Sequence, residues 1–337
     1  MQRLLRRLRA HCPPDEPLVH PGHIEAAESP HARVSRAVRM DLRRLDPVVL
    51  EAPRWSSPQS FLEEVALSLA VGNPPLGCRT VGLRPLLARP RGQAWQFLLR
   101  VAADLGGARA NRPVPIPAEP RGFRHALADL LEEVQASSPW PVALLAHGFE
   151  CLEVDVAEDF LATWDAFRSA HRDDARCVLL AAGAPGTAPI RRAVEGWSAR
   201  RVRIPDFGVG EAAEVLAHAG RREEAPALVA ARFTGGMPAL VRAVGDHASQ
   251  KGHLPQEPPA LVGALGPIAD EIRGAVDIVA SDDRLAARLD LLLTDDPVEP
   301  DPRLDEPLIA AGLARRVMLG GAPATRLRAP AIAALVG

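Results

Sequence analysis

The stretch Pro141-Val-Ala-Leu-Leu-Ala-His-Gly-Phe-Glu150 constrains the fold of this chain more than any other. Its apolar run, Pro141 to Ala146, is too short for a membrane span or a typical helix, and Pro139 and Gly148 bound it. A run of this kind reads as a strand buried on both faces, which implies a parallel sheet covered by helices on each side. In open α/β sheets, polar residues just past the carboxyl end of a strand stand where ligands bind. Here those residues are His147, Gly148 and Glu150.

Composition narrows the remaining choices. A length of 337 residues suits one large domain or two to three modest ones, and 47% hydrophobic content can build a core. The net charge of −2 gives no global attraction for nucleic acid. No run of 18 apolar residues occurs, and the basic start Met1–Ala10 lacks the apolar centre of a signal peptide. Four separated cysteines without a CxxC pair predict reduced thiols in a cytoplasmic protein. Cys12, His20, His23 and His31 match no common zinc spacing, so no metal site is expected. Lys251 is the sole lysine, which excludes chemistry needing a lysine elsewhere.

Along the chain, residues 2–11 fit a short basic helix, and prolines punctuate 12–31 as turns. Val34–Leu42 and Pro47–Glu51 read as extended, 59–70 as a helix, and Gly72–Gly82 as a turn region. Helices are expected over 91–105 and 121–136, with a proline-rich loop between them. After the buried strand, Asp155 is a candidate cap for a helix over 156–171. Strands over 176–182 and 201–204 flank a helix over 188–198, an alternation that marks a doubly wound sheet. From Pro205 the pattern turns helical, over 209–219, 223–233, 237–249, 258–279, 283–293 and 303–312. Leu313–Met318 and Ala324–Leu327 around Gly320-Gly321 predict a hairpin.

Several of these pieces, in order, resemble a known family. Val142–Glu150 is similar to the Walker B strand of AAA+ and STAND-type P-loop NTPases, and Cys177–Gly183 to the sensor strand that follows it. Arg203-Ile-Pro-Asp-Phe207 with the helix after it resembles the opening of their lid, and Phe233-Thr-Gly-Gly-Met-Pro-Ala-Leu240 resembles the lid's Gly-Gly-x-Pro motif. The tail resembles a fused winged helix. The resemblance implies a P-loop NTPase-like parallel sheet with flanking helices over 1–204, a helical lid over 205–280 and a winged-helix-like domain over 281–337.

The departures from that pattern shape the functional expectation. Such proteins cradle phosphate on a loop ending in Gly-Lys-Ser/Thr, and no such motif occurs here. The N-terminal phosphate-loop strand is therefore expected to be missing, and Met1–His11 resembles the helix that would follow it. The Mg²⁺-supporting and water-activating acids fall at His147 and Gly148, and the sensor position at Ala182 or Gly183. The resemblance thus implies a catalytically degenerate scaffold, adaptor or regulatory subunit with a protein partner and no cofactor. One alternative is a switch that holds ATP or ADP through Glu150, Gly235, Gly236 and Pro238. Another is a regulator contacting DNA, or a partner, through Arg315, Arg316, Arg326 and Arg328. No membrane partner is expected, and an oligomer is compatible with the family.

Overall fold

The computed structural model describes residues 29–72, 75–105, 116–219, 224–294 and 297–336. They fall into two compact units. Of the described residues, one holds 33–53 and 57–204; the other holds 205 onward, Arg54–Ser56 and Ser29–Ala32.

The first unit is built on a five-stranded parallel sheet of order β2-β3-β4-β1-β5. Its elements are α1 (Pro30–Arg43), β1 (Val48–Glu51), α2 (Pro58–Ala70), β2 (Gly77–Gly82), α3 (Arg91–Leu105) and α4 (Pro120–Ser137). They continue as β3 (Val142–His147), α5 (Val154–Ala170), β4 (Cys177–Gly183), α6 (Ala188–Gly196) and β5 (Arg200–Arg203). Successive side chains of a strand point to opposite faces, and both faces of β3 and β4 are apolar. Ala143, Leu145, Val178 and Leu180 pack with Val38 and Leu42 of α1 and Phe61 and Val65 of α2. Leu144, Ala146, Leu179 and Ala181 pack with Trp95, Phe123, Phe160 and Ile190 from α3 to α6. The doubly buried sheet read from Pro141–Ala146 is thus observed.

The chain leaves β1 for α2 on one face and leaves β4 for α6 on the other. These two strands are neighbours, joined past their ends by Ala52 N–H donating to the Gly183 carbonyl at 2.8 Å. Divergent departures from adjacent parallel strands create the crevice at which α/β sheets bind ligands.

Several expectations are corrected. Val34–Leu42 is not extended but lies in α1, because Val34, Val38 and Leu42 recur every fourth residue and line one helix face. Pro47–Glu51 does contribute a strand, β1, and it is interior, paired on both sides. Gly72–Gly82 is not all turn, since β2 forms the sheet edge with an alternating, half-exposed pattern. Helix α5 begins at Val154, and Asp155 caps nothing; it pairs with Arg91 at 2.7 Å. The helix of residues 2–11 lies outside the described residues.

The second unit contains α7 (Val209–Ala219), α8 (Glu224–Thr234), α9 (Pro238–Lys251), α10 (Pro258–Ala264) and α11 (Pro267–Ala280). After them come α12 (Asp283–Thr294), α13 (Pro302–Ala310), β6 (Ala314–Leu319), β7 (Ala322–Leu327) and α14 (Pro330–Val336). The single helix expected over 258–279 is broken, because Gly266 takes φ +53 and Pro267 starts a new helix. The hairpin turns on Gly320 (φ +56) and Gly321 (φ +87), as a two-residue turn of this hand requires. One continuous core joins all these elements, with Trp55 inside it. No helix among the described residues is long and apolar enough to cross a membrane.

Candidate functional site

At the carboxyl end of the sheet, the loop opened by Ala52 follows β1, and the ends of β3 and β4 carry the residues read from sequence. The loop and the start of α2 were not singled out from sequence. Ala52 to Gln59 has the length of Gly-x-x-x-x-Gly-Lys-Ser/Thr, joining an interior strand to a helix as that motif does. Its last three positions hold Ser57, Pro58 and Gln59. Without the glycines and the lysine no motif marks it in the sequence; spacing from the strand Pro47–Glu51 to the following helix is the signal that points to it.

Backbone geometry persists where the residue types differ. Ser57, at the sixth position, takes φ +52 and ψ +58, a left-handed conformation that favours glycine. Trp55 is also left-handed at φ +62. Pro58 opens α2, where a missing N–H is tolerated. It removes one donor from the helix start, the place where N–H groups hold phosphate.

Arg54, Trp55 and Ser56 belong to the second unit, and Trp55 lies in its core. Trp55 is 8% exposed and its ring lies against Gly312, where a Cβ would come within 2.7 Å of it. The Trp55 carbonyl accepts from Ala239 N–H at 3.0 Å. The Arg54 carbonyl accepts from Arg328, whose guanidinium also grips Asp206 through Nε at 3.1 Å and Nη2 at 2.6 Å.

The strand-end residues read from sequence all reach this end of the sheet. Glu150 accepts from Ala184 N–H at 3.0 Å, so it closes the turn after β4. The His147 ring lies over Gly82 of β2: a Cβ there would stand 3.0 Å from Cε1, close enough that the ring would have to shift slightly. Burial pushes the His147 pKa down, against weaker opposing pulls from Glu150 and Glu63. Gly148 takes φ +86 and donates to the Ala182 carbonyl at 2.9 Å. Burial pushes the Cys151 thiol up, with Glu150 adding to the effect and Arg84 opposing it, which disfavours the nucleophilic thiolate.

The lid-motif residues lie in the second unit. Gly236 (φ +75) meets Phe207 closely, a Cβ there falling 2.0 Å from its carbonyl oxygen. Gly235 (φ +60) meets the Arg328 carbonyl in the same way, at 2.5 Å. The close approaches these glycines allow are made by the chain's own backbone. Pro238 is buried as the first residue of α9. Of the hairpin arginines, Arg328 points inward to Asp206, Arg316 pairs with Glu306 at 2.6 Å, and Arg315 and Arg326 face each other across the strands. Arg315 also stands 3.9 Å from Asp206. Among the described residues no group of acids, histidines and cysteines could hold a metal ion.

No protein-family model matches the chain, and no curated protein does. Solved structures do. A Walker-type ATPase of Pyrococcus abyssi aligns over 90% of this chain and 94% of its own, with 14% identity and a TM-score of 0.62. A point variant of RuvB from Thermotoga maritima aligns over 87% of this chain and 88% of its own, with 14% identity and a TM-score of 0.42. The first likeness, together with the strand order, defines the fold as that of the P-loop NTPases.

Proposed function

We propose that this chain is a catalytically degenerate member of the AAA+/STAND-like P-loop NTPases, acting as a scaffold, adaptor or regulatory subunit for a protein partner. The observation that carries the reading is the loop Ala52–Gln59. It keeps the strand–loop–helix position and a left-handed sixth residue, but Pro58 stands in the lysine's place and Gln59 in the Mg²⁺-binding hydroxyl's. Lysine at that place neutralises the β- and γ-phosphates, and nothing here supplies its charge at the same register. His147 and Gly148 stand where the acids for Mg²⁺ and water would be, and Glu150 is engaged at Ala184. The crown of the loop, Arg54–Ser56, is anchored by Arg328 and by Ala239 N–H rather than left open to a ligand. The lid and winged-helix divisions at 205–280 and 281–337 belong to the same reading.

The test is phosphate release and thermal melting of the full-length chain with millimolar ATP and Mg²⁺. The expected result is no phosphate above a protein-free control and no change in melting temperature. Turnover, or a rise of several degrees with ATP or ADP, contradicts the reading and favours a nucleotide-held switch.

A further inference from the structure

Helix α1 carries a feature that the proposed function does not use. Between Arg33 and Arg44 the chain places five arginines and one aspartate, a net of +4 in a protein whose overall charge is −2. Arg33, Arg36, Met40, Arg43 and Arg44 fall at i, i+3, i+7, i+10 and i+11, so they share one face, and all five are exposed. Val38 and Leu42 on the opposite face are fully buried against the sheet. The lone acid, Asp41, is 4% exposed and already holds Arg200 of β5 at 2.9 Å. Arg200 therefore borders the helix, with Arg203 exposed further along the same edge strand; Arg201 between them is held by the buried Glu51. The guanidinium of Arg43 lies against Gly72 at the end of α2, where a Cβ would fall 1.8 Å from Nη2.

We infer that this face of the α/β unit is a docking surface for the phosphodiester backbone of nucleic acid. Arg33 to Arg44 spans about 16 Å at 1.5 Å per residue. That length matches roughly five nucleotides of one strand at about 3.4 Å each. Guanidinium groups bind phosphate oxygens in pairs and stay charged at any physiological pH. A protein partner fits less well, because Met40 is the only large apolar residue on the face and interface cores use aromatic and aliphatic anchors. A bilayer also fits less well. The apolar side of α1 is committed to the core, so no apolar face is left to enter the acyl layer. Contacts to phosphate alone carry no sequence preference.

The experiment is fluorescence anisotropy of a labelled 24-base-pair DNA duplex, in two unrelated sequences, titrated with the full-length chain from 50 to 200 mM salt. Equal binding of both duplexes is expected, with log affinity falling against log salt at a slope of about −3 for three to four neutralised phosphates. The triple variant Arg33→Gln, Arg36→Gln, Arg44→Gln keeps helix propensity, and is expected to lose at least tenfold in affinity with a slope near zero. Arg316→Gln on the hairpin is expected to bind as the parent does. Circular dichroism of the triple variant confirms that it folds. Absence of binding at 50 mM salt overturns the inference. So does loss through Arg316→Gln alone, or tighter binding to anionic vesicles or polyglutamate than to the duplex.

Discussion

Proline at position 58 opens α2 with neither a cation nor an N–H donor, the two things a phosphate-loop lysine would supply there. The substitution Pro58→Lys restores the charge, but Ser57 and Ala52 keep side chains where close backbone approach to phosphate favours glycine. Pro58→Lys alone is therefore expected to leave ATP binding undetectable by equilibrium dialysis; micromolar binding would show that one residue accounts for the loss. Arg328 and Asp206 form a shielded pair, and breaking it strands a charge. Arg328→Met is expected to destabilise the protein by about 3 kcal/mol, measured by urea unfolding, and adding Asp206→Asn to it is expected to recover part of the loss. Truncating Trp55 to alanine opens a cavity in the same core and is expected to cost about 3–5 kcal/mol. An unchanged midpoint for Trp55→Ala would show that the loop crown is not held as described.

At the scale of elements, α12, α13 and β7 are tied by one buried cluster. Asp305 accepts from Arg288 at 2.8 Å, from Thr325 at 2.5 Å and from Asp301 N–H at 2.8 Å. Burial alone would raise the Asp305 carboxyl, but these hydrogen bonds outweigh it and hold its pKa below the ordinary value. A carboxylate with a lowered folded-state pKa adds stability that is full above its unfolded pKa, near 4, and is lost as pH falls through the folded value. The second unit is thus expected to lose stability below about pH 4, and Asp305→Asn to lower the neutral-pH midpoint while flattening that acid limb. Urea midpoints from pH 3 to 7 check this; parallel curves for the two proteins would contradict it.

Elements also differ in how far the sequence displays them. β3 and β4 are legible because burial on both faces demands unbroken apolar residues, and few other structures do. β2, Gly77–Gly82, is an edge strand whose half-exposed residues need no such run, so nothing separates it from a turn. α1 reads as extended although its apolar period is helical, because Val34 and Val38 also suit a strand. The strand propensity of β1 shows in Val48-Val-Leu50, but its interior place depends on pairing with Leu180 and Arg200, far along the chain. The phosphate-loop register could be recognised only once that place was known. His147, Gly148 and Glu150 were legible because they follow directly from a legible strand.

At the scale of the molecule, two units with separate cores share one chain, and the first has the P-loop NTPase fold; the proposed reading is that this fold serves here without phosphate chemistry. Fold alone does not fix activity. A sheet buried by apolar packing on both faces draws its stability from that packing, so the proposed reading does not require nucleotide to hold the fold together. The measurement that tests this most directly is calorimetric titration of the full-length chain with ATP and ADP, each with and without Mg²⁺. The account predicts no binding heat up to millimolar nucleotide. Saturable binding at micromolar nucleotide would contradict it, and would mean that another group has replaced the lysine absent from position 58.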